Sequence, residues 1–379
     1  MKKYFFNDPL RFNESYKSTK NFLDIKAPLH GPGKYTQDIK KILIKKFGFT
    51  NIYLTNSCTS AMEMAALALN LKSTDEVIIP SYTFTTTGSS FARTGCKIKY
   101  CDISEKNLMP TYSQILDAVN KKTKAIVIVH YQGFSVDYLD KLKFFCKKKK
   151  ISLIEDAAQA FGSFLKKKPL GSFGDFGCFS FHHTKNVHAG IGGMMVLNNK
   201  KFKKKIDFIF DKGTDRSLVI SNKRKYYSWV EIGSSFLLPE LNVSFLLPQI
   251  NSLQKIISYR KKLYFRYLLN FKRWLSDQFK IVKHDNHKYN FHALVIILNK
   301  NNRVEFLNFL KKYGIYAFIG YVPLHKSPYG KKFASQKKKL KITDKLEKKI
   351  IRLPLHNHMS IKDVDFISSI IENFFKKIK

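Results

Sequence analysis

Along the chain, uninterrupted apolar runs alternate with stretches whose apolar residues recur every three or four positions. Val77-Ile78-Ile79, Ala125-Ile126-Val127-Ile128-Val129 and Ile151-Ser152-Leu153-Ile154 are runs of the first kind, as expected of strands covered on both faces of a parallel sheet. Helix-like segments around 112–120 and 136–148 separate them. Upstream, Tyr35 to Phe47 carries Ile39, Ile42, Leu43 and Phe47 on one helical face, Ile52 to Leu54 is a short strand, and Ala61 to Leu69 forms a helix. Alternation of this kind predicts an α/β layer with a mostly parallel sheet, whose ligands sit at the carboxyl ends of the strands.

The flanks read differently. Residues 1–34 are expected to be an irregular arm closing on His30-Gly31-Pro32-Gly33. Leu241 to Phe279, basic and aromatic along its length, reads as a long connecting helix. A strand over Phe291 to Leu298, a helix over 302–313 and an amphipathic helix over 361–378 then give a smaller α+β unit. The division expected is 1–245 for the large unit with its arm and 246–379 for the connecting helix and small unit.

Composition adds less than its extremes suggest. The 379 residues carry a formal net charge of +40, but from 59 Lys against 9 Arg scattered through almost every segment. Readers of nucleic acid favour the bidentate Arg fork, so no nucleic-acid partner is expected. Five cysteines lack metal-ligand spacing, which fits a reducing cytoplasm. No apolar run approaches the ~18 residues of a membrane span, and the N-terminus has no apolar signal core. His356 and His358 stand two apart without further ligands, so no metal is expected.

Chemistry concentrates at strand ends. The block Gly177 to Gly193 runs from a strand ending in Ser180 and Phe181 through a His-His-Thr turn to Lys185, then to Gly190, Gly192 and Gly193. A lysine there can form a Schiff base once burial or a neighbouring cation lowers its pKa from about 10.4. Ser57, Thr59 and Ser60 open a helix, where free N–H groups suit a phosphate, although the same residues also serve as a plain cap. Asp156 and Gln159 follow the Ile151 to Ile154 strand, and Phe84 follows Val77 to Ile79, where an aromatic could stack on a planar ring. Phosphate cradle, carboxylate, aromatic and lysine together match pyridoxal 5′-phosphate.

These stretches, with Val129-His130-Tyr131-Gln132-Gly133, Lys212 to Ser217, Ile232 to Ser235 and Tyr321 to His325, resemble the sugar-nucleotide aminotransferases of the DegT/DnrJ/EryC1/StrS family, in particular its dTDP-4-amino-4,6-dideoxygalactose transaminases. The resemblance implies a fold type I pyridoxal-phosphate-dependent transferase. It implies that Lys185 captures the cofactor and shuttles a proton, that Asp156 pairs with the ring nitrogen and that Gln159 faces the cofactor. Thr59, Ser60 and Ser180 would hold the phosphate, Phe84 would stack on the ring, and Ser235 would reach the cofactor of the second subunit of a homodimer. Tyr321 and His325 are candidates for sugar contacts. The implied substrates are glutamate and a nucleotide-linked keto-deoxysugar, in surface polysaccharide or lipopolysaccharide synthesis. The chain departs from the family at Ile191, where Glu is usual, and at Leu237, where many members have Arg. A protein that binds the cofactor without turnover is the alternative, and Ile191 is its one support; members that lack aminotransferase chemistry replace the lysine that stands here as Lys185.

Overall fold

The computed structural model describes residues 2–25, 28–272, 277–283, 288–336 and 339–377. Its centre is a seven-stranded sheet built from β1 (Asn51–Thr55), β2 (Glu76–Pro80), β3 (Lys97–Cys101), β4 (Thr123–Val129), β5 (Ser152–Asp156), β6 (Phe176–Ser180) and β7 (Gly193–Leu197). The order across the sheet is β1-β7-β6-β5-β4-β2-β3, and β7 alone runs antiparallel, pairing β1 on one side and β6 on the other. Side chains alternate between faces: Ile78, Ile126, Ile128 and Leu153 enter one hydrophobic cluster, Val77, Ile79, Val127 and Ile154 the other. Burial on both faces explains why these strands read as unbroken apolar runs.

The predicted α/β layer is therefore present, with its helices within a few residues of expectation. α1 (Asn13–Asp24) and α2 (Lys34–Phe47) precede β1, and α3 (Cys58–Ala68) follows it directly. Ser57 caps α3 by accepting the Ser60 N–H at 3.0 Å, which moves the helix start three residues ahead of the expected Ala61. Leu139–Lys149 and Tyr112–Ala118 are the two helices expected between later strands.

The flanks correct the sequence reading in three places. The arm is not irregular: α1 occupies 12 residues of it, and Tyr4–Phe5 pairs in parallel with Ile315–Tyr316 of the C-terminal unit. The long connection is not one helix. It divides into α4 (Glu240–Asn251) and α5 (Leu253–Lys272) at Ser252, and Phe279–Ile281 is already β8; residues 273–276 of that expectation lie outside the described ones. The strand expected from Phe291 begins at Leu294, because Phe291 has φ +52°, a left-handed value no strand residue adopts.

The smaller sheet orders β8, β9 (Leu294–Leu298) and β10 (Ile350–Leu353), all antiparallel, behind the terminal helix Ile361–Lys377; residue 378 of the expected helix is outside the described residues. Glu240, 1% exposed, ties α4 to the arm by accepting the N–H groups of Gly33 and Thr36 and the Thr36 hydroxyl. Among the described residues, no helix is long and apolar enough to cross a membrane.

Candidate active site

The carboxyl ends of β1, β2, β4, β5 and β6 open on one cleft of about 290 Å³, closed from the other side by Tyr321 and by His292 and Arg352 of the C-terminal unit. Asp156, Gln159, Lys185, Thr59, Ser180 and Phe84 all line it. Ser60 lies just beneath, hydrogen-bonded to Ser57 and Asn56. The strands therefore bring together residues spread over more than a hundred positions.

Asp156 ends β5 at 4% exposure. Its Oδ2 accepts the Thr87 hydroxyl at 2.7 Å and its Oδ1 the Ala158 N–H at 3.1 Å. Beneath it Glu155 is fully buried and accepts four hydrogen bonds: His130 Nε2 at 2.8 Å and the N–H groups of Gly171, Phe173 and Gly174 at 2.6–2.7 Å. Burial alone would raise the Glu155 pKa, but the His130 bond and charge and the Gly174 and Gly171 N–H groups outweigh it and hold the carboxyl below its ordinary range. The β5 end is thus a fixed mount for Asp156. Gln159 is fixed as well: its Oε1 accepts the Gln132 N–H at 2.7 Å and its Nε2 donates to the Tyr321 hydroxyl at 2.6 Å.

Lys185 sits in the turn after β6, its N–H bonded to the His182 carbonyl at 2.9 Å. Burial, and after it the charge of Arg352, lowers its pKa to about 8, against the opposing pull of Cys58 and Asp156. Its amine is therefore far easier to deprotonate than that of a surface lysine. His182 beside it is driven to about 4 by burial first and then by His183 and Lys185, so it is neutral at physiological pH. Lining the same cleft as Asp156, the N-terminus of α3 presents the N–H groups of Cys58 and Thr59, which have no partner within a helix, beside the Thr59 hydroxyl.

A group with a phosphate, an aldehyde and a protonated ring nitrogen fits this arrangement end to end. The α3 terminus would take the phosphate, Lys185 the aldehyde, and Asp156, held through both oxygens, the ring nitrogen. Phe84 is 56% exposed and lines the cleft.

Two sequence candidates lie elsewhere. His325 is not at the cleft: its Nδ1 faces Ser81 Oγ at 2.6 Å and its Nε2 faces Asp344 at 3.1 Å, so the geometry assigns it to holding its loop. Ser235 is exposed and outside its own chain's cleft, where its carbonyl accepts from Asn56. Conversely, Thr87, His292 and Arg352 were not picked out from the sequence. The signal available for Arg352 was a single charge inside the apolar run Ile350-Ile351-Arg352-Leu353.

Residues 15–372 match the model of the DegT/DnrJ/EryC1/StrS aminotransferase family. The chain is 28% identical to the spore coat polysaccharide biosynthesis protein SpsC of Bacillus subtilis, over 91% of this chain and 90% of that one. It is also 28% identical to the UDP-4-amino-4,6-dideoxy-N-acetyl-beta-L-altrosamine transaminase of Campylobacter jejuni, covering 92% and 91%. Among solved structures, the aminotransferase TlmJ of Streptoalloteichus hindustanus superposes over 100% of both chains with a TM-score of 0.91 at 19% identity. A family match over nearly the whole length, on a fold whose strand ends assemble a lysine, a carboxylate and a helix N-terminus, settles the assignment: this chain belongs to the DegT/DnrJ/EryC1/StrS family of pyridoxal-phosphate-dependent sugar aminotransferases.

Proposed function

We propose that the protein moves an amino group from glutamate to a nucleotide-linked keto-deoxysugar, dTDP-4-keto-6-deoxyglucose, to give dTDP-4-amino-4,6-dideoxygalactose for surface polysaccharide or lipopolysaccharide synthesis in the cytoplasm. The observation that carries the reading is the placement of Lys185, with its pKa lowered to about 8, in one cleft with Asp156 and the α3 N-terminus. Pyridoxal phosphate, when bound, supplies an aldehyde that captures amines and a ring that withdraws electrons from the captured carbon.

The chain's own residues do the rest. With the cofactor bound, the Lys185 amine would take the proton from the donor's α carbon, hold it and pass it on, and would run the same transfer in reverse on the sugar. Asp156 would keep the ring nitrogen protonated: unit charges 4 Å apart at an effective dielectric near 20 attract by about 4 kcal/mol. Thr59, Ser60, Ser180 and the α3 N–H groups would hold the phosphate, Phe84 would stack on the ring, and Gln159 would face the cofactor. Tyr321, which lines the cleft, would face the sugar. In this reading two copies share their sites, with Ser235 of each reaching the other's cofactor; its exposed position outside its own cleft is what supports that role.

The test is the visible spectrum of the protein with pyridoxal phosphate, before and after glutamate, in wild type and Lys185→Ala. The reading expects a Schiff-base band in wild type alone, bleached by glutamate. A band that glutamate leaves unchanged would favour a cofactor-binding protein without turnover, and no band in wild type would sink the assignment.

A further inference from the structure

The ring of Phe318 stands on the wall of the cleft that the C-terminal unit provides, and its mounting holds it still. Its N–H donates to the Arg352 carbonyl at 2.9 Å and its carbonyl accepts the Arg352 N–H at 2.7 Å, so the backbone is pinned to β10. The N-terminal arm secures the side chain. Tyr4–Phe5 pairs with Ile315–Tyr316, the Phe5 ring stacks on Tyr316 at 5.1 Å, and Phe6 stacks on Phe318 at 4.8 Å with the planes 20° apart. Phe6 is itself fixed: its carbonyl accepts the Leu355 N–H at 3.3 Å, and its ring lies 5.6 Å from Cζ of Arg352. One face of Phe318 is therefore covered, yet the residue is 42% exposed and lines the cleft. A flat ring backed on one side and open on the other is a surface on which a second planar ring can stack.

We propose that Phe318 is the platform on which the nucleobase of the acceptor stacks. The inference rests on the sugar-nucleotide reading above and names the part of that substrate which Phe318 recognises. Position along the cleft points to the base rather than the sugar. The reacting groups lie at the floor, where Asp156 is 4% and Ser180 8% exposed. A nucleotide is joined to the sugar at the carbon remote from the reacting ketone, with two phosphates between, so its base reaches the open end. Among the described residues, two phenylalanines that line the cleft are exposed, Phe84 and Phe318. Phe84 follows β2 on the large unit and is given to the cofactor ring in the reading above, which leaves Phe318 for the base. A phenyl ring offers no hydrogen bond to a base edge and meets any base by its π-face. Phe318 therefore supplies affinity, and the choice among bases lies with other residues.

The experiment uses the cofactor-loaded protein as wild type, Phe318→Ala, Phe318→Leu and Phe6→Ala, each checked for its melting temperature and Schiff-base band. Calorimetry reads the affinities for thymidine diphosphate, uridine diphosphate and inorganic pyrophosphate, and the glutamate concentration that half-saturates bleaching is read beside them. Phe318→Ala is expected to weaken both nucleotides by the same factor, roughly fivefold to a hundredfold, the loss seen when an aromatic ring under a stacked base is removed. Pyrophosphate and glutamate, which carry no base, keep their wild-type values. Phe318→Leu keeps apolar bulk against Phe6 without the flat face; it shows most of the same loss and carries the comparison should the alanine variant fail to fold. Phe6→Ala unseats the platform and loses less. Nucleotide affinity unchanged in both Phe318 variants overturns the proposal, and so does an equal loss for pyrophosphate, which would put the effect on the phosphates. Retained nucleotide affinity with a lower sedimenting mass in Phe318→Ala overturns it in favour of a second copy of the chain covering this face. A wild type that binds nucleotides through Phe318 but is not bleached by glutamate would fail the aminotransferase reading and leave the platform standing. One that glutamate bleaches but that binds neither nucleotide would do the reverse.

Discussion

Thr87 donates its hydroxyl to Oδ2 of Asp156 at 2.7 Å, and Thr83 Oγ1 stands 3.0 Å behind it, completing a buried chain of two hydroxyls onto the carboxylate. Asp156 is an acceptor, so Thr87 spends its proton there and takes one from Thr83 in turn. The helix Thr85–Ala92 therefore orients a residue at the end of β5. Hydrogen bonds to a charged group contribute about 1.5–3 kcal/mol, and Thr87→Val removes this one while keeping the shape. The expected outcome is pyridoxal phosphate affinity weaker by roughly tenfold to a hundredfold, with a melting temperature near wild type. Titration of the cofactor-free protein checks it; unchanged affinity would mean that Ala158 N–H alone holds the carboxylate.

The lowered pKa of Lys185 has a consequence for stability without cofactor. The folded chain gives up the lysine proton at about pH 8, the unfolded chain near 10.5. Below pH 8 the fold carries the full cost of a buried ammonium; between 8 and 10.5 the unfolded state binds more protons, so stability rises with pH. Lys185→Met removes the group. Cofactor-free Lys185→Met is expected to be more stable than cofactor-free wild type at pH 7, by a margin that shrinks from pH 8 upward. Urea melts at pH 7, 8.5 and 10 measure it, and a margin that does not change with pH would show that Lys185 titrates as an ordinary surface amine.

How much of this was legible in the chain follows from where each signal resides. The central sheet could be read because strands covered on both faces leave continuous apolar runs, Asp156 because it follows such a run, and Lys185 because it stands in a polar turn between a strand and a glycine cluster. α1 could not: only Ser15 and Phe22 of its 12 residues are buried, too thin a stripe to show a helical period. The break at Ser252 was hidden because α4 and α5 are both helical and apolar enough to run together on paper. Arg352 and His292 reach the cleft only through folding of a distant unit, and a lone polar residue in or beside a strand gives no indication of what it faces. His325 was misplaced for the opposite reason: it is close in sequence to Tyr321, but the short helix Leu324–Lys326 turns it toward Asp344.

Glu155 shows how much of the site depends on a residue that never touches it. Its carboxyl lies below the ordinary range in the fold, so the charged form stabilises the native state at neutral pH and that contribution fades as pH falls through the folded pKa, below 4.5. Glu155→Gln keeps the size but places an amide N–H among donors from Gly171, Phe173, Gly174 and His130. Disrupting a buried charged network of this kind costs about 3–5 kcal/mol. The variant is expected to unfold at markedly lower denaturant than wild type at pH 7, with the difference narrowing below pH 4.5. Parallel denaturation curves at pH 7 and pH 4 decide it; equal differences at both would mean the charge of Glu155 contributes nothing.

Gly193 begins β7 where that strand passes over the start of α3. A Cβ there would stand 2.2 Å from the Ser57 carbonyl carbon and 2.4 Å from the Cys58 nitrogen. Both are backbone atoms of the helix cap, so neither can move aside by changing a rotamer. Gly193→Ala must therefore push the strand and the α3 N-terminus apart, displacing the N–H groups proposed to hold the phosphate. Overpacking of this kind costs about 1–3 kcal/mol, and here it falls on the cofactor's anchor. The expected result is a clear loss of pyridoxal phosphate affinity together with a lower melting temperature. Gly192→Ala is the comparison, because its Cβ meets only side-chain carbons, Ala189 Cβ at 3.0 Å and Leu238 Cδ1 at 3.4 Å. It should lose stability modestly and keep its cofactor. Equal cofactor loss in the two variants would show that the whole glycine turn, rather than the contact of β7 with the helix cap, sets the phosphate site.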